Sequence, residues 1–341
     1  MTLISVVMPV YNTPADILSE AVNSILNQTF ADFEFIIIDD CSDNKETLEY
    51  LDALDDIRVR KVRNSQNTGI TKSLNIGLKL ASGKYIARMD SDDIALPQRF
   101  ERQYAYMESH PDVVVCGSSV KFFGDEYYTG HYTWRVSLED QELYRIKLLF
   151  GNIGPSHPSV MYRREKMLEL DLWYDEELDY AQDYMMWVNA SKVCRVACID
   201  EVLLLYRQHE GQVSAAKAAK QRKAALQVRE KQLRILCDHI TPQDAADHYD
   251  YFSDKRINEA SCKWFRKLIA DNDKKGVYDR RKFRTYVTDL IVKKFFATYD
   301  INWKDPRSYG IMLKFLPVSF IVNELRRKIV RKLSGIYNRQ N

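Results

Sequence analysis

The first half of the chain alternates short apolar runs with amphipathic helical patterns, and that alternation constrains the fold more than any other feature. Leu3–Val10 reads as a β-rich run bounded by Pro9 and Asn12, and Pro14 suits the first turn of a helix that continues through Asn27. Phe33–Asp39 is a continuous apolar run, as expected for a strand covered on both faces. A helix over Asp43–Leu54, a strand over Ile57–Val62, a helix over Ile70–Ala81 and, after Gly83, a strand over Lys84–Met89 complete a β-α-β-α-β-α-β series. A series of this kind needs crossovers between parallel strands. The expected class is therefore α/β, Rossmann-like, with a mostly parallel sheet and helices on both faces.

Further along, the patterns predict a helix over Pro97–Ser109, a long strand over Val113–Phe123, a helix over Glu139–Phe150 and a short strand over Ser159–Tyr162. A helix over Asp183–Val193 and two closing strands, Arg195–Ile199 and Val202–Tyr206, follow. Beyond Val213 the character changes. Lys217–Cys237 reads as a long charged helix, and the remainder is helical, with turn signals at Thr241-Pro242 and Asp271–Lys275. The expected organisation is a ligand-binding domain over 1–213 and a mainly helical C-terminal region over 214–341.

Hydrophobic residues make up 45% and charged residues 29%, the balance of a water-soluble globular chain. The net charge of +2 gives no global attraction to nucleic acid. Six cysteines are present, with no CxxC pair and no zinc-finger spacing, so free thiols in a reducing compartment are expected. MTLISVVMPVYN lacks a basic leader, and Pro9 interrupts its apolar run, so it does not read as a signal peptide. No stretch reaches the ~20 apolar residues of a spanning helix. The nearest, Ile311–Val322, contains Lys314 and Pro317. The expected location is the cytoplasm, with peripheral contact at the inner membrane face left open.

In open α/β sheets, ligands bind beyond the carboxyl ends of the strands. The first strand ends in Pro9-Val10-Tyr11-Asn12, the second in Asp39-Asp40 and the fourth in Asp90-Ser91-Asp92-Asp93, which should share one edge. There is no GxGxxG after the first strand and no GxxxxGK[ST]. Phosphates must then be handled by other means. Asp90 and Asp92 offer paired carboxylates suited to a hard divalent cation, Mn²⁺ or Mg²⁺, which commonly bridges protein acids to phosphates. Packed acids repel one another unless a cation or partner compensates.

With those residues in view, the sequence resembles the family 2 glycosyltransferases of bacterial polysaccharide type. The matching segments are SVVMPVYN (5–12), SILNQTFADFEFIIIDDCSDN (24–44), NTGITKSLNIGLKLASGKYIARMDSDD (67–93), HPSVMYRR (157–164), QDYMMW (182–187) and YRQHEGQVS (206–214). They cover about residues 3–214. The resemblance implies a GT-A fold that moves a sugar from a nucleotide-diphosphate donor, UDP-hexose first among the options, to an acceptor hydroxyl. It implies that Pro9 and Tyr11 line the base pocket and that Asp39 accepts from the base edge, with Asp40 open as a brace for the next turn. Asn67 and Lys72 would meet the diphosphate, although Lys72 also reads as a solvated surface lysine. Arg88 would reach the donor or pair with an acid. Asp90 would contact ribose and metal, and Asp92 the metal. Asp183 would be the catalytic base; the preceding acid of the family pattern is Gln182 here. His157 would shape the sugar or acceptor pocket or simply pack. Arg207 and His209, in the Tyr206-Arg207-Gln208-His209 motif, would face phosphate or metal. The implied chemistry is one in-line displacement with inversion.

Between Glu324 and Asn341 there are six Lys or Arg residues against one acid, and the stretch Tyr309–Val322 before it is apolar. Residues 309–341 therefore suit an anionic membrane surface or a helix packed on the body of the protein. A saccharide, free or lipid-linked, is the implied acceptor. Two alternative functions stay open: a non-catalytic nucleotide-sugar-binding protein of the same fold, and a nucleotidyltransferase. Against the latter, PVYNTPAD is not a Gly-rich phosphate loop.

Overall fold

The computed structural model describes residues 2–124, 133–178, 180–208, 218–299, 306–318 and 322. The chain divides into two compact units, 1–228 and 229–341.

In the first unit, β1 (Ile4–Val10), α1 (Ala15–Leu26), β2 (Phe33–Asp39), α2 (Lys45–Ala53), β3 (Val59–Arg63), α3 (Ile70–Leu80) and β4 (Tyr85–Arg88) form the expected alternating half. β1 pairs in parallel with both β2 and β4, and β2 with β3. The carboxyl ends of β1, β2 and β4 therefore lie side by side. β1 is buried along its whole length because helices cover both faces. Its alternate residues enter two cores: Val7 packs with Leu74 and Leu78, while Val6 and Met8 pack with Leu18, Val22 and Ile25.

The rest of the unit comprises β5 (Ile94–Ala95), α4 (Arg99–Ser109), β6 (Val113–Gly124), β7 (Thr133–Trp134), α5 (Gln141–Leu148), β8 (Met161–Arg163), α6 (Arg164–Glu169), α7 (Gln182–Val193) and β9 (Arg195–Gln208). The sheet order is β3-β2-β1-β4-β8-β6-β9-β5, with β7 on β6. β8 lies antiparallel between β4 and β6, and β5 is antiparallel to β9. β6 and β9 are parallel.

One expectation is corrected. Arg195–Ile199 and Val202–Tyr206 form a single strand, β9, not two. Ile199 faces Ser118 and Val202 faces Ser119, so Asp200 and Glu201 bulge out of an otherwise continuous pairing.

In the second unit, three of the described helices begin at side-chain caps. α8 (Ala218–Leu236) leads in from the first unit, and α9 (Pro242–Ser253) opens with a Thr241–Asp244 capping box. α10 (Glu259–Lys275) and α11 (Arg280–Thr298) are capped by Asn258 and Asp279, and α12 (Pro306–Phe315) follows. The turn expected over Asp271–Lys275 is also corrected: α10 runs through it to Gly276, which takes a left-handed φ of 68°. No described helix is long and apolar enough to cross a membrane. All six cysteines are free.

Candidate functional site

The loops beyond β1, β2 and β4 are knitted together by short polar side chains. Asn12 adopts a positive φ of 52°, which asparagine tolerates better than most residues. Its Oδ1 accepts from the Asp43 and Asn44 amides at 2.9 and 3.0 Å, tying the loop after β1 to the loop after β2. Thr13 Oγ1 and Ser91 Oγ, 2.6 Å apart, tie the first loop to the acidic turn. Pro9 is buried in β1, and the Tyr11 ring stands half exposed above this edge.

The two aspartates that end β2 separate in role. Asp39 Oδ1 accepts from the Ser42 amide at 2.9 Å and Oδ2 from Arg63 at 2.6 Å. Asp40 accepts from the Thr68 and Gly69 backbone amides at 2.9 and 2.8 Å and from the Asn64 side-chain Nδ2 at 2.7 Å. Asp40 is thus the brace of the loop that opens α3. Asn67 and Lys72, on that loop and on the first turn of α3, are exposed.

β4 delivers the acidic turn. Arg88, 3% exposed, forks onto both oxygens of Asp90, so of its two expected roles the structure shows the pairing with an acid. Burial raises the Asp90 carboxyl pKa, Arg88 opposes this, and Asp92 and Asp183 add to it. The Asp93 pKa is also pushed well up, by burial and then by Asp92 and Asp90. Its Oδ1 accepts from the Arg207 amide at 2.8 Å, while Oδ2 is buried without a hydrogen bond. Ligand oxygens of Asp90, Asp92 and Asp93 all lie within 4.8 Å of one another. An all-carboxylate set at this spacing, with one buried oxygen unmatched, fits a hard divalent cation.

Asp183 occupies the first turn of α7, after Ala181 in a left-handed conformation. Asn152 donates to its Oδ2 at 2.8 Å. Burial raises the Asp183 pKa, opposed by Asn152, by the Tyr184 amide and by Arg88. Asp183 in turn acts on Asp90, so the two acids belong to one electrostatic neighbourhood.

His157 is buried and hydrogen-bonds Tyr174 Oη through Nε2 at 2.7 Å. Burial and then Arg88 hold its pKa well below the ordinary value, which favours the neutral imidazole. The Arg207 guanidinium donates to the Asp92 carbonyl at 2.7 Å, pairs with Glu20 and lies 4.6 Å from the Phe123 ring centroid. It underpins the acidic turn from within the protein. His209 lies outside the described residues.

Several contributors escape motif reading. Arg99 is fully buried and donates to the Arg88 carbonyl at 2.8 Å and to Gln103 at 3.0 Å. Gln103 then donates to the Cys116 and Ser159 carbonyls at 2.9 and 2.8 Å. Arg63, Asn75, Asn152 and Tyr174 also shape the site. The available signal was a polar pair one helical turn apart on an otherwise apolar face: Arg99 with Gln103, and Thr71 with Asn75.

The glycosyl transferase family 2 model matches residues 5–170. An uncharacterised glycosyltransferase of Methanocaldococcus jannaschii is 37% identical over 209 residues, 60% of this chain and 70% of that protein. A UDP-Glc:alpha-D-GlcNAc-diphosphoundecaprenol beta-1,3-glucosyltransferase of Escherichia coli is 30% identical over 218 residues, 64% of this chain and 82% of its own. Two solved structures share the fold. S. aureus TarS in complex with UDP-GlcNAc gives a TM-score of 0.55 at 18% identity over 85% of this chain and 84% of that one. A Pyrobaculum calidifontis mannosyltransferase with GDP-Man and Mn²⁺ gives 0.50 at 15% identity over 85% and 81%. With a GT-A sheet, an acidic turn at the end of β4 and these relatives, the chain belongs to glycosyl transferase family 2.

Proposed function

We propose that the chain transfers a hexose from a UDP-sugar to an acceptor hydroxyl in bacterial surface polysaccharide synthesis, in one inverting step. The observation that carries this reading is the acidic turn, whose Asp90, Asp92 and Asp93 oxygens lie within 4.8 Å of one another, with Asp183 near enough to act on Asp90. Base and leaving-group site must flank one anomeric carbon, and two half-buried acids near enough to interact, Asp183 and Asp90, are consistent with that need.

Tyr11 would stack on the base. Asp39 can only accept, so it suits a base edge that offers an N–H, as uracil does; UDP-GlcNAc is also the ligand of the TarS structure. The exposed Asn67 and Lys72, with the α3 amino terminus, suit the diphosphate. Asp90, Asp92 and Asp93 would hold Mn²⁺ or Mg²⁺, which when bound neutralises charge on the departing diphosphate. Asp183 removes the acceptor proton while the acceptor oxygen bonds to the anomeric carbon. The bond from that carbon to the diphosphate oxygen breaks, and the electron pair leaves with UDP. No covalent sugar–protein intermediate is needed, and the transition state is oxocarbenium-like.

The E. coli relative acts on a diphosphoundecaprenol-linked sugar. A lipid-linked acceptor would give residues 309–341 a purpose at the cytoplasmic membrane face. In support, Leu313 and Val318 are 54% and 62% exposed, next to the basic stretch after Glu324. That stretch lies outside the described residues.

The test is Asp183→Asn. We expect turnover of the donor with Mn²⁺ to fall by a factor of about 10²–10⁴, the range for a lost general base, with UDP affinity retained. Unchanged turnover removes Asp183 from the mechanism. The anomeric configuration of the product, read by NMR, checks inversion separately.

A further inference from the structure

The helix that opens at the proposed diphosphate loop also holds the segment leading to the proposed base. α3 buries Thr71 and Asn75, one turn apart, among Leu74, Gly77 and Leu78. Thr71 Oγ1 donates to the Leu178 carbonyl at 2.9 Å. Asn75 makes a two-way amide bridge with one residue: Nδ2 donates to the Tyr174 carbonyl at 3.0 Å, and Oδ1 accepts from the Tyr174 amide at 3.1 Å. Asn75 Nδ2 also donates to Glu176 Oε1 at 2.9 Å.

Tyr174 is 2% exposed, and its hydroxyl lies 2.7 Å from both His157 Nε2 and Tyr162 Oη. Residues 172–175 belong to no helix or strand, and the backbone N–H and C=O of buried Tyr174 find their partners on the Asn75 side chain. Packing alone would be served by an apolar residue at 75. A buried amide is costly unless both its ends are matched, and here both are.

We propose that Asn75, assisted by Thr71, is a positioning residue for Asp183. It fixes the 174–178 segment against α3, so that the base is registered to the helix whose first turn meets the donor. This inference rests on the reading of Asp183 as the base. Glutamine is one methylene too long for the bridge, aspartate keeps the acceptor and loses the donor, and alanine loses both.

The experiment uses the full chain with Mn²⁺ and the sugar nucleotide that the unaltered protein turns over fastest in a UDP-release assay. Asn75→Ala, Asn75→Asp, Thr71→Val and Asp183→Asn are compared for kcat, donor KM, UDP affinity by calorimetry and Tm. We expect Asn75→Ala to lower kcat at least tenfold with UDP affinity within twofold of the unaltered chain. Thr71→Val should move kcat in the same direction by less, and Asn75→Asp should retain more activity than Asn75→Ala. A role in stability alone would lower Tm and leave kcat and KM of the folded protein unchanged, and that result overturns the proposal. So does a fall in kcat matched by an equal loss of UDP affinity. Should Asn75→Ala not fold, Asn75→Asp and Thr71→Val decide by the same criteria. If Asp183→Asn keeps full turnover, the base reading fails. If it is inactive while both Asn75 variants are unaffected, only the positioning role fails.

Discussion

At the residue scale, the acids of the site are matched by cations that arrive from different elements. Arg88 reaches Asp90 from β4 itself, Arg207 on β9 donates from its guanidinium to the Asp92 carbonyl and from its backbone amide to Asp93 Oδ1, and Arg99 holds the Arg88 carbonyl from α4. Arg99→Met leaves that carbonyl and Gln103 without their donor. We expect a loss of about 2–4 kcal/mol, read as a lower denaturation midpoint at constant m. Gly154→Ala places a Cβ 2.1 Å from Trp187 Cδ1, and overpacking of this kind costs about 1–3 kcal/mol. For Asp183, burial sets the folded-state pKa above the ordinary 3.8. A base works only when ionised, so kcat/KM should fall on acidification along a limb above that value, and pH–rate profiles check it. The linkage to stability has the opposite sense. An acid whose pKa rises on folding stabilises the fold at low pH, and this contribution is lost as pH rises through the raised value. Asp183→Asn should therefore keep or raise the neutral-pH Tm while turnover collapses. Most candidate acids were legible as motifs, because strand ends are marked by runs of apolar residues. Arg99, Asn75 and Tyr174 were not, because their role depends on which backbone groups lie opposite, and those come from distant segments.

At the element scale, the alternating half was readable because β1, β2 and β4 are buried on both faces and each helix on one, so hydrophobic period separates them. Misreadings arose where polar residues interrupt an element without ending it. Asp200-Glu201 looks like a turn, yet β9 continues because β6 pairs with it on both sides of the bulge. Asp271–Lys275 looks like a loop, yet Asn272 is buried and bridges Tyr278 by the same two-way amide pattern as Asn75 with Tyr174. The true stop is Gly276, one position beyond the polar run. Where chemistry and position agree, the caps are readable directly. Thr241→Ala removes one half of the capping box of α9 and should cost about 1 kcal/mol, measurable as a Tm decrease.

At the scale of the whole molecule, a sugar-transfer unit is joined to a helical unit whose end is apolar and then basic. If the end serves an anionic surface, the full chain should float with liposomes containing anionic lipid, less so at high salt, and not with zwitterionic ones. Removal of residues 309–341 should abolish flotation; equal recovery without them defeats the membrane role. The sequence by itself determined the class of fold, the sheet edge at which β1, β2 and β4 end and the acids that stand there. Periodicity reports burial, and strand ends report where side chains leave the sheet. The tertiary structure alone decided that Asp40 braces the loop before α3 while Asp39 pairs with Arg63, that Arg88 holds Asp90, and that α3 reaches across to the segment before Asp183. Those outcomes depend on hydrogen bonds between residues far apart in the chain, and no local pattern encodes which distant carbonyl a buried side chain will find.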